Sequence, residues 1–191
     1  MIGKKWPKSA LWGLFKTRKG WCAIAWSAKG LMALVLPQKE KALALRKLQE
    51  YLPPGPQKFW EKSQATVPLK FQRETGEALR GKPFSNLPVD LFSLTPFQQR
   101  ILQETCRIPW GQYRSYAWVA RKAGSPKGFR ATGQALNRNP VPIFIPCHRV
   151  VASGGKLGGY GGGLEWKVKL LELEGIRPQK GGKLAPGLKI L

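Results

Sequence analysis

The 191-residue chain holds one histidine and three cysteines, and the histidine, His148, stands between Cys147 and Arg149. The run Ile145-Pro146-Cys147-His148-Arg149-Val150 sits among Val141, Ile143, Phe144 and Val151. It reads as a buried strand interrupted by three side chains able to do chemistry. A free thiol with a pKa near ~8.5 is mostly protonated at neutral pH, and a nearby base or cation converts it to the nucleophilic thiolate. His148 can supply the base and Arg149 the charge. The competing reading is a core cysteine packed as a small hydrophobe beside a structural histidine.

The elements around this run must position it. Asn139-Pro140-Val141-Pro142 precedes it and fixes the approach of the backbone, because each proline locks φ and removes a donor. Gly158-Gly159-Tyr160-Gly161-Gly162-Gly163 follows it, a loop whose glycines let backbone come close to a flat ligand. A last helix over Leu164 to Glu174, stopped by Gly175, has Leu164, Val168 and Leu171 on its inner stripe. Glu174 lies on the flank of that stripe, where it is either solvated or within reach of His148.

Upstream, Thr95-Pro96-Phe97-Gln98 carries an N-cap threonine, a first-turn proline and the glutamine of a capping box. In the helix that follows, Phe97, Ile101 and Leu102 point inward, and Cys106 near its end reads as buried. Ser115 opens a helix through Arg121. Ser125-Pro126 opens another, running to about Asn137, across a glycine turn at Gly124. The pair suggests a helix-turn-helix. In its second helix Phe129 and Leu136 face the core, while Arg130, Gln134 and Asn137 share the opposite face. That polar face is either merely solvated or a contact surface for DNA.

The first half carries no recognisable chemistry. Apolar runs over Leu11 to Lys16, Trp21 to Ser27 and Leu31 to Leu36, separated by glycine turns, predict a β-meander with Cys22 in the core. Lys39 to Tyr51 has helical periodicity with Ala42, Leu45 and Leu48 on one stripe, ended by the proline-rich 52–56. A helix over about Leu69 to Arg80 and a strand-like 87–94 complete it. The class is α+β, with a structural domain over 1–84, a mainly helical domain over 85–177 and a basic, flexible tail over 178–191.

Lysine and arginine number 33 against 10 acidic residues, a net charge of +23, which favours a polyanionic partner. No apolar run approaches the roughly 18 residues of a membrane span, and the N-terminus has no apolar signal core. A cytoplasmic protein without a membrane partner is expected, associated with the nucleoid through DNA, or nuclear in a eukaryote. Cys22, Cys106 and Cys147 lack CxxC spacing, which argues against both a disulfide framework and a zinc site.

The segment NPVPIFIPCHRVVASGGKLGGYGGGLEWK, with TPFQQRILQETCRIPWGQYRSYAWVARKAGSPKGFRATGQALNRNP before it, resembles the O6-alkylguanine-DNA alkyltransferases, also called methylated-DNA–protein-cysteine methyltransferases. The likeness spans about residues 85–177. It implies a ribonuclease H-like N-terminal domain, and Cys147 as the acceptor of an alkyl group from O6-alkylguanine, and from O4-alkylthymine, in double-stranded DNA. His148 would act as base through a water, Glu174 would orient His148, Asn139 would support the active-site turn, and Tyr116 would donate a proton to the departing purine. Arg130 would replace the extruded nucleotide, with Ser115, Ala131, Thr132, Gln134, Asn137 and Arg138 among the DNA contacts. Pro142, Val150, Tyr160 and Gly161 would line the substrate pocket, Gly161 standing where many members have serine. No metal or cofactor is implied, each monomer would react once, and the base must be flipped for a buried thiol to reach it.

Three alternatives remain at this level. One is a non-catalytic alkyltransferase-like sensor, although such proteins replace the acceptor cysteine. Another is an architectural DNA-binding protein with an incidental Cys-His pair. The last is a Cys-His hydrolase.

Overall fold

The structure, a computed structural model, describes residues 7, 9–51, 63–82, 84, 87–179 and 183–184. The expected stop at 52–56 and most of the expected tail lie outside them. The chain divides into two compact units, Met1–Leu79 with Pro83–Ser93, and Arg80–Lys82 with Leu94–Leu191.

In the first unit, β1 (Leu11–Thr17), β2 (Gly20–Ser27) and β3 (Gly30–Gln38) form the antiparallel meander read from the sequence. Trp12 pairs with Ala25, and Ile24 with Leu34. Alternation puts the small residues Ala23, Ala25 and Ala33 on one face, which allows α1 (Lys41–Tyr51) to pack closely through Ala44 and Leu48. The inward stripe is thus Ala44 and Leu48; Ala42, expected there, is exposed. The bulky residues of β2 fill the other side, where Trp26 meets Phe71 of α2 (Leu69–Ala78) edge-on at 6.1 Å. Cys22 is buried, as expected, and burial pushes its thiol up to about 12. Residues 87–94 are not a strand. Val89 makes only a bridge to Leu31, with Leu31 N–H donating to Pro88 and Asp90 N–H donating to Leu31. Residues 87–93, read as part of the C-terminal domain, therefore pack with the N-terminal unit.

In the second unit, α3 (Pro96–Cys106) opens with the expected capping box: Gln98 N–H donates to the Thr95 hydroxyl at 3.3 Å, and Thr95 N–H donates to the Gln98 side chain at 2.9 Å. Ile101 and Leu102 are buried, but Cys106 is exposed, contrary to expectation, because the final turn of α3 carries it to the surface. α4 (Tyr116–Lys122) is capped by the Ser115 hydroxyl, which accepts from Trp118 N–H at 3.1 Å. α5 is shorter than expected, Phe129–Asn137, since residues 125–128 form a turn before it. Helices α3, α4 and α5 pack on one another.

The expected buried strand over 141–151 is instead a compact turn. Ile145 N–H donates to the Val141 carbonyl at 3.0 Å, Ile143 takes a positive φ of 76°, and Cys147–Arg149 form one 3-10 turn. Pro140, Pro142 and Pro146 explain this, because each removes a donor that a strand ladder needs. Only Val150–Val151 (β5) pairs as strand, parallel to β4 (Arg114–Ser115).

The last helix, α6 (Leu164–Leu173), buries Lys167, Leu170 and Leu171, while Leu164, expected inside, is exposed. The tail also departs from expectation: Leu184 is buried with Tyr113, Val151, Leu171 and Ile176.

Candidate active site

The geometry starts from Asn139. Its side-chain oxygen accepts from Val141 N–H at 3.0 Å, while its Nδ2 donates to the Ile145 carbonyl at 2.9 Å and to Cys147 Sγ at 3.0 Å. One buried amide therefore braces the proline-rich turn and touches the thiol. Cys147 is 7 % exposed and opens onto a cavity of about 540 Å³. Tyr116 of α4, Phe129, Arg130, Gln134 and Asn137 of α5, and Gly159, Tyr160 and Gly161 of the following loop line that cavity.

Behind the thiol, Nε2 of His148 lies 2.7 Å from Oε1 of Glu174, both side chains buried. The same carboxylate accepts from Arg149 Nε and Nη2, both at 2.9 Å, and from Gly111 N–H at 3.2 Å. Arg149 also donates to the Ile108 carbonyl at 2.6 Å and lies over the Trp110 ring. Burial lowers the His148 pKa against the opposing pull of Glu174. Burial also works against ionisation of Glu174, but the hydrogen bonds and charges of His148 and Arg149 outweigh it and hold the carboxyl below its usual range. At neutral pH the pair is a neutral imidazole on a carboxylate. Nδ1 of His148 is buried with no hydrogen-bond partner among the described residues.

Burial raises the Cys147 pKa, opposed by the hydrogen bond from Asn139, by the nearby Tyr160 and by the charge of Lys167. The cation that acts on the thiol is therefore Lys167, whereas Arg149, expected in that role, is committed to Glu174. Lys167 is fully buried, and its Nζ donates to the carbonyls of Val150 at 2.7 Å, Gly159 at 3.3 Å and Leu157. It also lies 5.9 Å from the Tyr116 ring centroid. Burial, partly offset by the electrostatic influence of Cys147, brings the Lys167 pKa down to about 8. Sequence reading missed this residue. Its available signal was a lysine spaced four before Leu171 on the apolar stripe of α6.

The structure brings Cys147, His148, Glu174, Asn139 and Tyr116 into one neighbourhood, with Arg130, Gln134, Asn137, Tyr160 and Gly161 on the cavity wall. The Tyr116 hydroxyl donates to the Gly159 carbonyl at 3.2 Å, and burial raises its pKa. Other expected site residues lie elsewhere. Pro142 and Val150 are buried outside the cavity lining, because the turn directs them into the core. Thr132, expected among the DNA contacts, is buried on the inner side of α5, whereas Ala131 and Arg138 are exposed. Phe129, expected inside, is 50 % exposed and forms part of the cavity rim. Ser115 spends its hydroxyl on the α4 cap. For Gly161, an added Cβ would lie 3.0 Å from the Asn137 carbonyl oxygen, so the close end of α5 leaves little room for a serine side chain there.

A family model described as the 6-O-methylguanine DNA methyltransferase DNA-binding domain matches residues 96–176. A methylated-DNA–protein-cysteine methyltransferase of Mycobacterium leprae is 52% identical over 80 residues, 42% of this chain and 48% of the relative. The constitutive enzyme of that name in Bacillus subtilis is 53% identical over 83 residues, 43% of this chain and 50% of the relative. The chain thus spans about half the length of the curated relatives it matches. Among solved structures, the O6-methylguanine methyltransferase of Mycobacterium tuberculosis superposes with a TM-score of 0.65 at 30% identity, covering 86% of this chain and 92% of that one. The same organism's protein in complex with DNA gives 0.66 at 30% identity, with the same coverage. The mixed α+β fold with its small antiparallel sheet is shared with these structures. With the thiol, its buried His-Glu pair and the cavity in place, the chain belongs to the methylated-DNA–protein-cysteine methyltransferase family.

Proposed function

We propose that the protein repairs alkylated DNA by moving the alkyl group from O6 of guanine to Cys147, once per molecule. The observation that carries this is the 2.7 Å His148–Glu174 contact behind a thiol that opens onto a cavity large enough for a purine. Burial keeps His148 neutral, with Nε2–H donating to the carboxylate, so the orphaned Nδ1 is the atom that takes the thiol proton through a water. The thiolate attacks the alkyl carbon, a carbon–sulfur bond forms, and the carbon–oxygen bond breaks with its electron pair going to guanine. The base regains one proton, from Tyr116 or through His148, so no net charge is created. The product is a thioether, which water does not cleave, so turnover stops at one. The same attack applies to O4-alkylthymine.

DNA is the partner in this reading. Helices α4 and α5 would act as a helix-turn-helix that docks in the minor groove, with Ala131 permitting close approach and Arg130 filling the gap left by the flipped nucleotide. Lysine and arginine contacts with phosphate would supply much of the affinity and make it salt-dependent.

Intact-protein mass spectrometry after incubation with a duplex carrying one O6-methylguanine tests the reading. One added methyl group on Cys147, saturating at one per molecule, is expected. Tight binding without a mass change would replace the transferase with a sensor of alkylated DNA. Equal behaviour of Cys147→Ala and the native chain toward damaged duplex would reduce it to an architectural protein.

A further inference from the structure

Among the described residues beyond Ile176 none lines the cavity, yet Leu184 is built into the second unit. It is 2 % exposed and packs with Tyr113, Val151, Leu171 and Ile176, and Leu157 packs against the same cluster. Its N–H donates to the Gly155 carbonyl at 2.9 Å, and Gln179 N–H donates to the Lys183 carbonyl at 2.7 Å. Antiparallel bridges join Pro178 to Leu184 and Lys156 to Lys183. Three short pieces of backbone therefore lie side by side, with 183–184 between 178–179 and 155–156. Gly155 serves this arrangement twice: its φ is +75°, and a Cβ there would lie 2.8 Å from the Leu184 carbonyl oxygen. The family match ends at residue 176, so the outer pieces of this clamp, 178–179 and 183–184, lie outside the matched segment.

The clamped segment leads directly into the cavity wall. Ala152 N–H closes a turn on the Lys156 carbonyl at 2.7 Å, Gly159 accepts from the Tyr116 hydroxyl, and Tyr160 lines the cavity together with the Cys147 thiol. Lys167 holds this loop from the inside through the Leu157 and Gly159 carbonyls. Such a glycine-rich stretch loses much conformational entropy when ordered, so anchors on its inner side leave its outer edge to be fixed. Leu184 anchors that edge.

We propose that Leu184 is a positioning residue for alkyl transfer, clamping residues 155–157 from outside so that Gly159 and Tyr160 are held at the thiol. The proposal rests on the transfer reading above. It acts through loop order alone, since Leu184 touches neither thiol nor cavity.

The test compares the full chain with Leu184→Ala and Leu184→Met, reading three quantities. These are amide hydrogen exchange over 152–161, the pH profile of Cys147 alkylation by iodoacetamide, and methyl transfer from an O6-methylguanine duplex as a function of concentration. In Leu184→Ala, exchange of the Ala152 amide should accelerate by about tenfold or more, the loss of a buried side chain lowering the cost of local opening. The alkylation profile should move to higher pH, and the half-saturating duplex concentration should rise, while binding of undamaged duplex stays unchanged. Leu184→Met should restore all three. Native exchange and a native thiol profile in Leu184→Ala would overturn the proposal, as would a loss of undamaged-duplex binding in proportion to transfer. If the native chain transfers nothing, the functional reading falls, and the exchange and thiol profiles still decide whether Leu184 sets the loop.

Discussion

Oε1 of Glu174 lies 2.7 Å from Nε2 of His148, and the same carboxylate also accepts from the guanidinium of a buried arginine, Arg149. Glu174 sits at the C-terminal end of α6 and His148 in the 3-10 turn, so the contact ties the last helix to the nucleophile's own turn. Gly111 N–H, from the loop before β4, completes the set at 3.2 Å. Orientation of the base and integrity of the unit are therefore carried by one carboxylate.

Glu174→Gln should consequently do more than slow transfer. The amide cannot neutralise Arg149, and breaking a buried pair by removing one partner costs about 3–5 kcal/mol. Thermal unfolding should fall together with the transfer rate, while binding of undamaged duplex at low temperature persists. An unchanged melting temperature would show that Arg149 finds its compensation elsewhere, and an unchanged rate would remove Glu174 from the mechanism.

Acid should unfold the protein in two steps of the same sign. The folded pKa of His148 is lowered from 6.5, so between that value and the folded one the unfolded chain binds more protons. Stability is full above pH 6.5 and declines as pH falls below it. Glu174 is lowered from 4.5, so its contribution is full above 4.5 and is lost as pH falls through the folded value. Melting temperatures recorded from pH 7.5 to 4 should show a decline beginning near 6.5, and His148→Gln should delete that upper part. A flat curve between 7 and 5 would show that His148 is not held neutral by burial.

Much of this arrangement is legible from residue types. The capping box of α3 and the meander of β1 to β3 follow local rules, in which neighbouring residues supply both partners of each interaction. Cys147, His148, Asn139 and Glu174 are recognisable because their types are chemically able and one is the lone histidine of the chain. What the sequence hides is non-local. The acceptors of Lys167 are carbonyls 8, 10 and 17 residues away, so a lysine on an apolar stripe reads as solvated until the loop folds over it. Leu184 is masked by its basic, glycine-rich surroundings. Phe129 is exposed because it is the first residue of α5, at the cavity rim, while Thr132 one turn on is buried.

Lys167→Met tests the buried ammonium. Below its folded pKa of about 8 the lysine is charged, and it satisfies three carbonyls while favouring the thiolate of Cys147. Its folded pKa is lowered from 10.5, so the native protein binds fewer protons between 8 and 10.5, and the contribution of this group to stability grows as pH rises through that interval. The methionine variant leaves acceptors at Val150, Leu157 and Gly159 without this donor, each costing about 1–3 kcal/mol where water cannot replace it. A lower melting temperature at pH 7 is expected, with Cys147 alkylation by iodoacetamide shifted to higher pH. An unshifted alkylation profile would confine Lys167 to a structural role.

Arg130→Ala separates base extrusion from transfer. Arg130 lies exposed on α5 at the cavity rim, on the same face as Gln134, and among the described residues no hydrogen bond or ion pair of its side chain is seen. Truncation should therefore leave the fold and the melting temperature within about 0.5 kcal/mol of native, the usual range for surface substitutions. If the side chain fills the gap left by a flipped nucleotide, reaction with an O6-methylguanine duplex should fall by about tenfold or more, the few kcal/mol of unstacking being left uncompensated. Reaction with the free alkylated base, which requires no extrusion, should be preserved. Equal losses on duplex and free base would instead place Arg130 in the architecture of the cavity.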